Sequence, residues 1–155
     1  MNNYKERDRY YEGNNWNKNC LNDIGVAISG EGEIYEGEFK NNLKEGIGLY
    51  RWADGTTYMG EFKKGKITGI GRMQFANGNY YEGEFMDGFI SGWGKFIWDD
   101  GNYYIGNYLN NKKHGLGIFV WTLEPLNALI GFWSHGKQNG ICVRLFKGQC
   151  KFAIV

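Results

Sequence analysis

The sequence predicts an all-β chain, a single-layer elongated antiparallel meander of β-hairpin repeats, twisted so that one aromatic face curls into a groove. Glycine supplies 25 of 155 residues and proline only one, against a usual glycine share of ~7%. Aromatic residues make up 17% of the chain. Tyr-x-Gly returns every 23 residues, at Tyr35, Tyr58, Tyr81 and Tyr104. Glycine costs about 1 kcal/mol at each helix-interior position, so this composition excludes a helical bundle. A single proline and no glycine at every third position exclude a collagen-like helix. Abundant rings and a formal net charge of +1 exclude a disordered chain.

With the repeat tyrosine numbered 0, position 4 reads Phe39, Phe62, Phe85 and Tyr108. Position 11 reads Gly46, Gly69, Gly92 and Gly115, and position 13 reads Gly48, Gly71, Gly94 and Gly117. Position 17 reads Trp52, Phe75, Trp98 and Trp121. Alternation over positions 0, 2 and 4 marks a first strand, and positions 11 to 17 form a second. Asn41-Asn42, Lys64-Gly65, Asp87-Gly88, Asn110-Asn111 and His135-Gly136 lie between them and are hairpin turn formers. Asp54-Gly55, Asn77-Gly78 and Asp100-Gly101 turn the chain into the next unit.

The ends are worn copies. A last unit starts at Leu129 after the insertion Thr122-Leu123-Glu124-Pro125-Leu126, and a first one starts at Tyr11-Glu12-Gly13. Atypical terminal units suit capping. The chain therefore divides into an N-terminal tail (1–9), a degenerate capping repeat (10–34), four regular repeats (35–126), and a degenerate C-terminal repeat with a tail (127–155).

A turn centred between positions 7 and 8 sets Tyr35 opposite Tyr50, Gly37 opposite Gly48 and Phe39 opposite Gly46. Rings then lie over glycines that would otherwise leave the sheet thin. One face gathers the Tyr, Phe and Trp rows. The other is mixed: Glu82 opposes Lys95, Glu38, Glu61 and Glu84 form a solvated acidic stripe, and Ile47, Ile70, Trp93, Leu116 and Ile141 make a thinner apolar row. A lone sheet leaves the ring face uncovered, and a large exposed apolar surface marks a binding site.

Glu36-Gly37-Glu38-Phe39 and Tyr81-Glu82-Gly83-Glu84-Phe85-Met86-Asp87-Gly88 resemble the consensus of the MORN (membrane occupation and recognition nexus) repeat. The resemblance covers roughly residues 10–150, as about six repeats. It implies a stand-alone scaffold of the kind found at cilia, the cortical cytoskeleton and myosin tails. The family's name also implies an affinity for acidic phospholipids.

The expected function is a non-catalytic adaptor that holds a peptide or an amphipathic helix of a protein partner in the aromatic groove. Its rings are Tyr58, Phe62, Phe75, Tyr81, Phe85, Phe96, Trp98, Tyr104 and Tyr108. Trp98 is the chosen anchor, because tryptophan is enriched at binding hot spots and this one has Phe75 and Trp121 one repeat away on either side. The alternative is a membrane-surface module. Residues 31–61 carry −4 and residues 112–155 carry +5, and Lys112, Lys113, Lys147 and Lys151 would meet acidic lipid. Open edge strands and the apolar Phe152-Ala153-Ile154-Val155 also suggest a homodimer through the C-terminal repeat.

Other chemistry finds no support in the sequence. Gly46-Ile47-Gly48 and its copies lie inside strands and lack the Lys-Ser/Thr of a phosphate loop. His114, His135, Cys142 and Cys150 fall at positions that share no rung, with no Cys-x-x-Cys, so no zinc site is expected. No cofactor, catalytic residue or nucleic-acid partner is expected either. Three cysteines at no metal-like spacing point to a reducing compartment. The first residues lack the apolar core of a signal peptide, Asn2 is not the glycine that myristoylation needs, and Cys150 is not placed for prenylation. No apolar run approaches the ~18 residues of a membrane-spanning helix. A cytoplasmic protein is expected, associated with the cytoskeleton, a cilium or the inner face of a membrane.

Overall fold

Type I′ turns need positive φ at both central residues, and the turn inside each repeat supplies them. The computed structural model describes the backbone of residues 9–11, 16–17 and 20–154, with side chains over 22–121 and 123–154. Most of the N-terminal tail (1–8), and Glu12 and Gly13 of the worn first unit, lie outside the described residues. Asn41 and Asn42 have φ of 50° and 64°, Lys64 and Gly65 of 50° and 82°, and Asp87 and Gly88 of 50° and 87°.

The strands are β1 (Arg9–Tyr11), β2 (Trp16–Asn17), β3 (Cys20–Leu21), β4 (Asp23–Ile28), β5 (Ile34–Lys40), β6 (Leu43–Arg51), β7 (Thr57–Lys63), β8 (Lys66–Gln74), β9 (Tyr80–Met86), β10 (Phe89–Ile97), β11 (Tyr103–Leu109), β12 (Lys112–Leu123), β13 (Leu126–Ser134), β14 (Lys137–Phe146) and β15 (Gln149–Ile154). Thirteen of them form one antiparallel sheet in the order β1-β4-β5 and onward to β15, while β2 and β3 pair separately. No helix occurs among the described residues. The single-layer hairpin meander is as the repeat period predicts.

Tyr35 faces Tyr50 and Gly37 faces Gly48, as expected, but the next pair is Phe39 with Lys44 rather than with Gly46. Glu38 on β5 is opposed by Glu45, Gly46 and Ile47 on β6, a bulge of two extra residues. Gly46 makes it feasible with a φ of 62°. Its ladder partner is Phe62 of the following unit. The same shift recurs in the hairpins β7–β8, β9–β10, β11–β12 and β13–β14. A simple sum over turn positions cannot see a bulge, so the register is right only up to the paired glycines.

The C-terminal tail is a strand. Lys147 and Gly148 take φ of 47° and 75°, and β15 runs back along β14 from Phe146↔Gln149 to Ile141↔Ile154. The 122–126 insertion lengthens β12 and resets β13 around a turn at Glu124-Pro125.

A one-layer sheet must make its core from its own side chains, and here that core is aromatic. Tyr35, Tyr58, Tyr81 and Tyr104 are the largest fully buried side chains. Each lies across the glycine pair of its hairpin: a Cβ at Gly71 would fall inside the Tyr58 ring. The Tyr35 hydroxyl donates to the Glu38 carbonyl at 2.8 Å, Tyr58 to Glu61 at 3.2 Å, Tyr81 to Glu84 at 3.1 Å and Tyr104 to Asn107 at 3.3 Å. Phe39 and Phe62 meet Tyr35 edge-on at centroid separations of 5.0 and 4.9 Å. Such edge-to-face pairs add about 0.5–1.5 kcal/mol beyond burial, and each tyrosine is flanked by one ring of its own repeat and one of the next.

Candidate partner-binding face

The ring face has two layers of different character. The lower layer is the core just described. Of the nine rings expected to grip a partner, Tyr58, Phe62, Tyr81, Phe85, Tyr104 and Tyr108 are at most 7% exposed. This corrects the expectation of nine open rings: positions 0 and 4 cover the glycine pairs and one another, because no other layer is there to do so. Burial raises the Tyr35 pKa to about 12, helped by the Glu38 charge, and burial alone raises that of Tyr104 to about 12.

The upper layer is half-buried and continuous. Phe75 meets Phe96 at 5.7 Å, Phe96 meets Trp98 at 4.8 Å, Trp98 meets Phe119 at 5.2 Å, and Phe119 meets Trp121 at 4.7 Å. Tyr50 and Trp52, 4.6 Å apart, extend the same positions in the first regular repeat. Phe75, Phe96 and Trp98 therefore remain accessible in part. The immediate neighbours of Trp98 are Phe96 and Phe119 rather than Phe75 and Trp121. Cross-strand packing joins positions 15 and 17 into a zigzag, and the 23-residue spacing alone suggested two separate rows.

The basic residues separate in the same way. Lys112, Lys147 and Lys151 are exposed, whereas Lys113 is half-buried on the ring face. Its Nζ lies 4.3 Å from the centroid of Trp133, 4.7 Å from Phe119, 5.4 Å from Trp98 and 5.5 Å from Tyr104. Desolvation holds its pKa below the ordinary lysine value. Lys113 is thus removed from the outward basic group in which the sequence placed it. Position 9 faces the rings, a direction hidden from any argument that treats charge as a run along the chain.

On the opposite face, Glu38, Glu61 and Glu84 do more than form a solvated stripe. Each Oε1 accepts from a bulge amide, of Ile47 at 3.1 Å, Ile70 at 3.0 Å and Trp93 at 3.0 Å. Glu82 does oppose Lys95, but its carboxylate pairs with Arg72 at 3.2 Å, and Lys95 stacks over Tyr103. The apolar row of that face stands clear of the sheet, from Leu116 at 44% exposed to Ile70 at 66%.

The His114 and His135 rings meet at 5.7 Å, although their repeat positions differ. No group of three His, Cys, Asp or Glu side chains able to hold a metal ion occurs among the described residues. Cys142 is buried and Cys150 exposed. No helix among the described residues is long and apolar enough to cross a membrane.

The MORN repeat family model matches residues 35–57, 58–80, 81–103, 104–122 and 130–151. Five units match rather than about six; the worn unit before residue 35 is outside them. No curated protein matches the sequence. Among solved structures, the Drosophila melanogaster SAS-4 (dCPAP) TCP domain, solved in complex with a proline-rich motif of Ana2 (dSTIL), aligns with a TM-score of 0.48 at 14% identity, over 94% of this chain and 88% of that one.

Proposed function

The chain belongs to the MORN repeat family, and from that premise we propose that it is a non-catalytic scaffold that binds a peptide or amphipathic helix of a protein partner on its ring face. One observation carries the reading: the unbroken half-buried track from Phe75 through Phe96, Trp98 and Phe119 to Trp121. Rings already held by their neighbours lose little freedom on binding, which is the property of a preorganised anchor. Cytoskeletal, ciliary or myosin-tail partners fit this role.

Trp98 remains the anchor. Trp98→Ala should weaken a partner complex by roughly 2–4 kcal/mol, the hot-spot range. It also removes contacts with Phe96 and Phe119, so a thermal melt must first show the variant folded. Binding at parental strength by folded Trp98→Ala, with loss on changing Ile70 or Trp93, would place the partner on the opposite face instead.

A peripheral membrane role is the second reading, favoured by the exposure of Lys112, Lys147 and Lys151. Attraction of about 1 kcal/mol per basic residue near an anionic surface predicts that changing these three to Glu abolishes sedimentation with phosphatidylserine vesicles. Raised salt should do the same. Salt-resistant binding would remove this account.

A further inference from the structure

Lys113 is the second residue of β12, just after the Asn110-Asn111 turn, and lies among Trp133, Phe119, Trp98 and Tyr104. Rings stabilise a cation through their faces, but they accept no conventional hydrogen bond. The ion pairs of Lys66 with Asp87 and of Arg72 with Glu82 do not involve Lys113.

Two further donors, on the next two strands, lack acceptors. Trp133, 8% exposed, has a buried Nε1–H with no hydrogen-bond partner among the described residues, and so does the Gln138 side-chain amide. Trp133 and Gln138 are directly opposed on β13 and β14, so their side chains share a face. One ammonium and two neutral donors therefore lie on one face of β12, β13 and β14 with no acceptor among the described residues. A buried donor left without an acceptor costs its full desolvation penalty.

We infer that Lys113, Trp133 and Gln138 form an anion-accepting pocket in the ring face that receives the carboxylate of an acidic peptide segment, an Asp or Glu whose apolar neighbours lie on Trp98, Phe119 and Trp121. The inference rests on the ring face being the partner-binding face and names the chemistry recognised there. Charge complementarity supports it, since residues 112–155 carry +5. A carboxylate on a flexible side chain can reach an ammonium sunk among rings. A bilayer surface instead engages lysines that project outward, as Lys112, Lys147 and Lys151 do. An incoming carboxylate would also offset the desolvation that depresses the Lys113 pKa.

The test is a selection of phage-displayed random 16-residue peptides on the full chain, followed by titration of the selected peptides by calorimetry. The expected peptides carry one fixed Asp or Glu between apolar residues. Replacing that acid by its amide should weaken binding about tenfold, as should Lys113→Met, which keeps the stem on the rings. The two changes together should cost little more than either alone. Trp133→Phe, which keeps a ring and removes the N–H, should weaken binding by a smaller factor. Both variants are checked for folding by thermal melt; if Lys113→Met does not fold, the amide replacement and Trp133→Phe decide. Peptides that lose affinity on Trp98→Ala but lack a fixed acid, or bind folded Lys113→Met as well as the parent, overturn this pocket and leave the ring-face reading standing. Peptides indifferent to both Trp98 and Lys113, or no peptides at all, overturn both. Loss of phosphatidylserine-vesicle binding on Lys113→Met, with no peptide effect, assigns the pocket to lipid headgroups and overturns the peptide carboxylate.

Discussion

Gly71 shows how little room a repeat leaves at its centre. A methyl group there would enter the Tyr58 ring, and the same conflict exists at Gly48 with Tyr35 and at Gly94 with Tyr81. The ring cannot step aside without uncovering the sheet and losing the hydroxyl bond to the Glu61 carbonyl. Gly71→Ala should therefore cost about 1–3 kcal/mol, the overpacking range, read by urea denaturation. Gly55 meets no atom within 4 Å of such a methyl and bears only the strain of a 91° φ, so Gly55→Ala should cost about 1 kcal/mol, the low end for a non-glycine residue in the left-handed region. Equal losses at the two sites would mean that backbone conformation, rather than the ring stacked on Gly71, explains the repeat glycines.

The hairpin is the scale at which acid and bulge become one device. Glu61 lies opposite the bulge formed around Gly69 and accepts from Ile70 N–H. The fourth regular repeat carries Asn107 at that position, with its own bulge glycine at Gly115. Glu61→Ala should destabilise by roughly 1 kcal/mol, the ordinary net worth of one hydrogen bond, and should accelerate hydrogen exchange at Ile70. Binding of a ring-face partner should change little. Unchanged exchange at Ile70 would show that the carboxylate does not hold the bulge. The bulge leaves Gly46 without a partner on β5, and Phe62 of the following unit lies opposite it instead: each hairpin completes the cover of the one before it.

At the scale of the molecule, the thirteen strands of the sheet at ~4.8 Å spacing span nearly 60 Å, with no second layer among the described residues. The radius of gyration should clearly exceed the ~15 Å expected of a compact globule of this length, and small-angle scattering giving ~15 Å would contradict the elongated form. The same measurement reports association. β15 is an edge whose side chains are exposed throughout, with Phe152 at 80% and Ile154 at 84%, and such an edge is a template for pairing with a second chain. A homodimer through the C-terminal repeat would lengthen the particle and double its forward scattering, and substituting Lys for both Phe152 and Ile154 should return it to the monomer.

The sequence by itself determined the period, the two strands of each repeat, the places of the turns and the family, because these follow from local backbone preference and the spacing of Tyr, Gly and Asx residues. It also placed Tyr35 opposite Tyr50 and Gly37 opposite Gly48. The tertiary structure alone decided which rings stay open, because burial depends on neighbours 23 residues away. Tyr58 and Phe62 are covered by cross-repeat contacts, while Phe96 and Trp98 remain half-covered. It alone sank Lys113 among Trp133, Phe119 and Trp98, because those rings come from neighbouring strands that a run of charge along the chain does not bring together. Residue types set what each strand can pack, but in a sheet with one layer the same rings must serve as core and as surface. Only the folded register divides them between the two.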